Sequence, residues 1–184
     1  GAFKPKTIAL FSPERITTSI PAHNSIDARQ PSDIKGKEFF GIQSVDLSFD
    51  MAPIGLTASD FSIQEQGGDG VAPALESFFF IDDETVQLNL ANAIEPGAWT
   101  TITHIPSGSS VRLGYLPGDA NGDGTTSPVD ILALIDSLNG VTPRPIDSTD
   151  VNRSGLAEPS DILRLIDLLN GAGAFEIWNG VSLP

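Results

Sequence analysis

DANGDGTTSPVDILALIDSLNG, residues 119–140, is followed by DVNRSGLAEPSDILRLIDLLNG, residues 150–171, so one phrase occurs twice at a constant offset of 31 residues (150 against 119). Each copy is a glycine loop studded with acids and amides that runs straight into an amphipathic helix. Self-similarity of this kind decides the architecture before any single residue does. Within the helices, Ile131, Leu134, Ile135 and Leu138 fall at i, i+3, i+4 and i+7, as do Ile162, Leu165, Ile166 and Leu169. That spacing predicts two apolar stripes packed on each other. Asn139-Gly140 and Asn170-Gly171 supply the helix stops.

The loops have the chemistry of a hard divalent cation, which takes six to eight oxygens from a chain that turns sharply around it. Counting Asp119 as position 1, Asn121 is position 3, Asp123 position 5, Thr125 the carbonyl at 7, Ser127 position 9 and Asp130 position 12. Gly124 stands at position 6, where the turn needs a positive φ. The second copy offers Asp150, Asn152, Ser154, Leu156 through its carbonyl, Glu158 and Asp161, with Gly155 at the turn. Both follow the EF-hand spacing except that position 12 is Asp rather than Glu. Helix capping alone explains part of this, because Pro128 and Pro159 suit the first helical position and Asp130 and Asp161 suit the first turn. It does not explain acids and amides at positions 1, 3 and 5 with glycine at 6, twice over. The expectation is two Ca2+ ions.

N-terminal to Asp119 the period changes from 3.6 to 2. Short apolar alternations occur at 7–11, 15–20, 41–50, 60–66, 74–82, 85–92, 98–106 and 110–116, separated by Gly, Pro, Asn and Asp. They predict an antiparallel β-sandwich. Asp82-Asp83-Glu84 and Gly67–Gly70 read as hairpin turns. The expected division is a β domain over 1–116 and a small repeat domain over 117–184, the latter short enough to need metal support.

Composition excludes several functions. The net charge is −14, with ten acids and three arginines in residues 118–184, so the chain is a poor nucleic-acid binder. There is no cysteine, hence no disulfide or thiolate chemistry. No apolar run spans a membrane, and a signal peptide is absent, as in a mature secreted chain. His23 and His104 are the only histidines, and no hydrolase, zincin or nucleotide-binding motif is present. A non-catalytic protein is the expectation. Carbohydrate binding by the sandwich, with Trp99 as a stacking platform, is the alternative.

Two resemblances extend this reading. Residues 14–105, through TSIPAHNS, SVDLSFDMAPIGLTASDFSIQ and TVQLNLANAIEPGAWTTIT, resemble the bacterial Ig-like domains of secreted and S-layer proteins. The loop–helix unit, duplicated without the entering helix of a full EF-hand, resembles a type I dockerin. That resemblance implies a small, largely α-helical fold with near-twofold symmetry and two EF-hand-type calcium loops. It also implies docking to a cohesin-like or other surface protein, in a secreted, extracellular or cell-surface setting. Phe175 and Trp178, with Pro117 and Pro184, resemble the clasp by which dockerin termini meet. Loop positions 10 and 11, a Ser/Thr pair in cellulosomal dockerins, are here Pro128-Val129 and Pro159-Ser160. A partner face would draw on Ala133, Asp136, Arg164 and Asp167. A polysaccharide ligand or a spacer role in a larger extracellular enzyme are the alternatives to docking.

Overall fold

The computed structural model describes residues 13–31, 41–172 and 176–184. Residues 7–11 and Phe175, a predicted strand and a predicted clasp residue, lie outside the described residues. The apolar alternations after residue 12 all become strands: β1 (Ile16–Ile20), β3 (Ser44–Phe49), β4 (Phe61–Gly67), β5 (Leu75–Phe80), β6 (Thr85–Leu90), β7 (Ala98–His104) and β8 (Ser109–Tyr115), with a two-residue β2 (Ile26–Asp27) between the first two. Helices follow as α1 (Val129–Leu138), α2 (Ile146–Thr149) and α3 (Pro159–Asn170).

The strands form two four-stranded sheets, ordered β1-β3-β6-β5 and β2-β8-β7-β4. In β3, β6 and β7 every second side chain is buried, as a pleated strand with one face on a core requires. Val45, Leu47 and Phe49 of β3 and Val86, Leu88 and Leu90 of β6 meet Ile102, Val111, Leu113 and Tyr115 from the other sheet in one apolar cluster. His104 is buried there against Phe49 and Phe61, with its Nδ1 2.9 Å from Ser107 Oγ. The histidine is thus spent on packing and one hydrogen bond.

Two local expectations change. The alternation predicts antiparallel pairing, but β2 runs parallel to β8, with Ile26 opposite Gly114 and Asp27 opposite Tyr115. A strand of two residues has no period to read. Residues 82–84 do join the antiparallel pair β5–β6, and Asp82 Oδ1 accepts the Glu84 and Thr85 N–H groups. Gly67–Gly70, by contrast, connects β4 to β5 in different sheets and is a crossover turn rather than a hairpin.

A second apolar cluster joins the sheets to the helices. Ile26 and Leu116 pack with Ala120, Leu134, Val151, Leu165, Leu168, Leu169 and Trp178, and Trp99, Ile131, Ile162 and Leu183 border them. The predicted stripe of α1 is partly kept. On α3, however, Ile166 is 37% exposed while Leu168 is wholly buried. The face turns because α3 lies against the sheet junction as well as against α1, so the position six residues after Ile162 points inward. Leu168→Ala is expected to cost about 3 kcal/mol and Ile166→Ala less than ~1 kcal/mol. Denaturant unfolding of the two variants checks the order.

The chain end closes this cluster. The Thr126 N–H donates to Val181 O and the Gly180 N–H to Thr126 O, each within 2.9 Å, and the Leu183 N–H donates to Gly124 O. Leu183, Ile26 and the Trp99 ring converge over Gly114, where an added Cβ would lie about 3 Å from all three. Trp178, predicted to act in a clasp, is buried here, and its backbone N–H donates to Leu168 O.

Candidate metal centres

In the first loop Asp119 and Asp130 are both fully buried. Asp119 Oδ1 accepts the N–H groups of Gly122 and Asp123 at 2.8 and 3.1 Å, and Oδ2 that of Gly124 at 2.8 Å. Asp130 reaches back from the first turn of α1. Its Oδ1 accepts the Asn121 N–H at 2.9 Å and its Oδ2 the Ser127 N–H at 2.8 Å. Asn121 Oδ1 accepts the Asp123 N–H at 2.7 Å, and Asp123 Oδ1 accepts that of Thr125 at 2.9 Å. Gly124, at φ 85°, makes the turn without a Cβ penalty.

The second loop is wired in the same way. Asp150 takes the N–H groups of Ser154 and Gly155 at 2.8 and 2.9 Å. Asp161 takes those of Asn152 and Glu158 at 2.9 and 2.8 Å, and Gly155 turns at φ 92°. In both copies the position-1 carboxylate holds the N–H groups of positions 5 and 6, and the position-12 carboxylate those of positions 3 and 9. Each loop is thereby closed into a ring around its two buried acids.

Closure leaves oxygen lone pairs over. A carboxylate has about four acceptor sites, and Asp119 Oδ2, Asp130 Oδ1 and both oxygens of Asp161 each accept one N–H. Burial pushes the Asp119 carboxyl up to about 6; N–H donation from Gly124 and Gly122 opposes this, and the charges of Asp130 and Asp123 add to it. Burial likewise raises Asp130 and Asp161. Buried like charges call for a cation. Among the described residues no three His, Cys, Asp or Glu side chains form a metal-holding group by themselves. A mixed set, completed by the amide oxygens of Asn121 and Asn152 and by the carbonyls at position 7, is what calcium takes. The residues fit the ion.

Not every nominated oxygen joins the ring. Ser127 Oγ accepts the Val129 N–H at 3.3 Å and stands 3.5 Å from Asp130 Oδ2, and Thr125 Oγ1 turns to Ser182 Oγ at 2.9 Å. Ser154 Oγ shares its one proton between Asp150 Oδ1 at 3.3 Å and Leu156 O at 3.1 Å. It ties two nominated ligand atoms together where the first loop has an acid. Glu158 Oε1 accepts the Ser160 hydroxyl at 2.7 Å, at the start of α3.

This duplicated, internally closed loop is the decisive feature. Residues 117–170 match the family model of the dockerin type I domain. A β-rich region precedes the dockerin match. No curated protein matches the chain. Among solved structures, the L,D-transpeptidase 3 of Mycobacterium tuberculosis, in complex with a faropenem-derived adduct, is similar at 14% identity and a TM-score of 0.35, covering 56% of this chain and 38% of that one. A second L,D-transpeptidase from the same organism gives 15%, 0.34, 56% and 41%. The chain spans less than half the length of either structure.

Around the dockerin match, Asp136 is exposed, but Ala133, Arg164 and Asp167 are half-buried. The most exposed apolar side chains of the helices are instead Val129, Leu132 and Leu163. Leu132 and Leu163 occupy the same position in the two copies (163 against 132). Trp99 is half-buried, with the Arg112 guanidinium 4.1 Å above its ring. His23 Nδ1 accepts the Arg112 N–H. No helix among the described residues is long and apolar enough to cross a membrane.

Sequence reasoning missed Arg153, which leaves the second loop for the β sheets. Its one signal is that it stands where the first copy has Gly122.

Proposed function

We propose that this chain is a non-catalytic attachment unit of a secreted or surface protein. In this reading an Ig-like sandwich carries a dockerin-type repeat that binds two calcium ions and docks to a protein partner of the cohesin class. The observation that supports it most is the shared wiring of the two loops, which buries a pair of carboxylates in each and leaves their free lone pairs to a cation. In this reading the partner face on α1 and α3 includes Leu132 and Leu163, exposed at the same position in the two copies. Pro128-Val129 removes both hydroxyls of the usual pair in the first copy, and Pro159-Ser160 keeps one in the second.

Calorimetric titration of the chelator-stripped chain with calcium is expected to give two ions per chain. Asp119→Ala should remove one and Asp150→Ala the other, each lowering affinity at its own loop by about a hundredfold or more, since each removes a carboxylate from a three-carboxylate set. No heat and no bound calcium in the unaltered chain would overturn the reading.

A further inference from the structure

The two loops differ at position 4. Gly122 turns there at φ 76° and Arg153 at φ 62°. A side chain in that left-handed conformation costs about 1–2 kcal/mol that glycine does not incur, so contacts elsewhere must hold it. They lie on the β sheets. Arg153 Nε donates to Gln30 O at 2.8 Å, and Nη2 stands 3.4 Å from the Tyr115 hydroxyl and 3.6 Å from Asp27 Oδ2. The guanidinium sits 5.9 Å from the Tyr115 ring centre.

The receiving group is rigid. The Asp27 side chain is fully buried, and Arg29 grips it with Nε and Nη2, each at 2.8 Å. Tyr115 is fully buried at the end of β8. Backbone bonds stitch the same edge: the Ala28 N–H donates to Asp147 O, the Gln30 N–H to Val151 O and the Leu116 N–H to Asp27 O. Gln30 Nε2 adds a bond to Asn152 O at 3.3 Å. Val151, Asn152 and Arg153 are positions 2, 3 and 4 of the second loop, so one whole side of it is fastened to residues 27–30. The opposite side is weak by composition, with Ser154 in place of an acid and Ser154, Gly155 and Leu156 exposed.

We propose that Arg153 is a positioning residue for the second calcium loop: by anchoring position 4 to Asp27, Gln30 and Tyr115, it makes the β sheets part of that ion's binding site. This rests on the reading of the loops as calcium sites. The first loop needs no such anchor, having its own acid at position 5 and the Thr126–Val181 pairing. Coupling of this kind is reciprocal: an ion in the second loop tightens the contact between loop and sheets.

The test uses the full chain and calcium itself. Arg153→Gly gives position 4 the residue of the first copy, and Asp27→Asn alters the anchor from outside the loop. Calcium titrations followed through the Gly124 and Gly155 amide resonances read the two loops separately. Arg153→Gly is expected to weaken the second site about tenfold and leave the first unchanged. A purely local view gives the opposite sign, because glycine relieves the backbone. Asp27→Asn should weaken the second site several-fold, and the double variant should lose no more than the worse single one. A second-site affinity that is equal or tighter in Arg153→Gly overturns the positioning role while the calcium reading stands. Failure of both resonances to respond in the unaltered chain overturns the calcium reading itself. A general loss of stability, seen as a lower thermal midpoint with both affinities intact, also overturns the proposal.

Discussion

Stripping calcium with a chelator is expected to lower the thermal midpoint of the full chain by about 10 °C or more. A ligand present at about a thousand times its dissociation constant stabilises the folded state by about 4 kcal/mol per site. For a chain of this size each kcal/mol moves the midpoint by roughly 2–4 °C, so a single loop yields roughly 8–16 °C. The structural reason is that Asp119, Asp130 and Asp161 are fully buried as acids. Without the ion they either repel one another or take up protons. The effect should extend beyond the helices, because Ile26 and Trp99 of the sheets share an apolar cluster with Leu134, Leu165 and Trp178. Scanning calorimetry with chelator, with calcium restored, and with magnesium in its place checks this. Melts agreeing within a degree would remove calcium as a structural element.

The second large effect is expected from Gly118→Val, at a cost of about 4 kcal/mol in denaturant unfolding. Gly118 turns the chain at φ 87° immediately before the first loop, and its N–H donates to Ala28 O at 2.7 Å. A Cβ there would meet Thr126 Cγ2 at 2.8 Å and Leu165 Cδ1 at 3.0 Å. Backbone strain contributes about 1–3 kcal/mol and overpacking a similar amount. Thr126 cannot easily retreat, because its hydroxyl donates to Pro117 O and its backbone pairs with Val181 and Gly180. At Gly122 an added Cβ has no atom within 4 Å, so Gly122→Val serves as the comparison, sharing the φ penalty without crowding at the Cβ. Equal losses in the two variants would show that crowding at Gly118 is unimportant.

What could be read from residues alone follows from how local each signal is. The loops declare themselves because every bond that closes them joins residues no more than nine positions apart, as Asn121 to Asp130 and Asn152 to Asp161 do. The strands of the sheets declare themselves through a period of two. Ile26–Asp27 is too short for any period, yet it carries the parallel pairing that brings the sheets to the helices. Arg153 looks like an ordinary polar residue of a loop, since its partners Gln30 and Tyr115 lie 123 and 38 positions away. The Ile166 to Leu168 change has the same origin. Helical spacing defines a stripe, but the second surface against α3 decides which edge of it is covered. The Glu158 carboxylate also accepts the Ser160 hydroxyl, a competitor that a count of ligand positions does not weigh.

The strip from Asp27 to Gln30 has a mechanical consequence. It bonds to Gly114–Gly118 on one side and to Asp147 and Val151 on the other. Tension applied to the helical repeat therefore enters the sheets along several hydrogen bonds at once, in addition to the single covalent path through Pro117. Bonds stretched together in shear yield at higher force than bonds opened one after another. The repeat and the sheets are expected to respond to a pull as one stiff lever, with no hinge at residue 117.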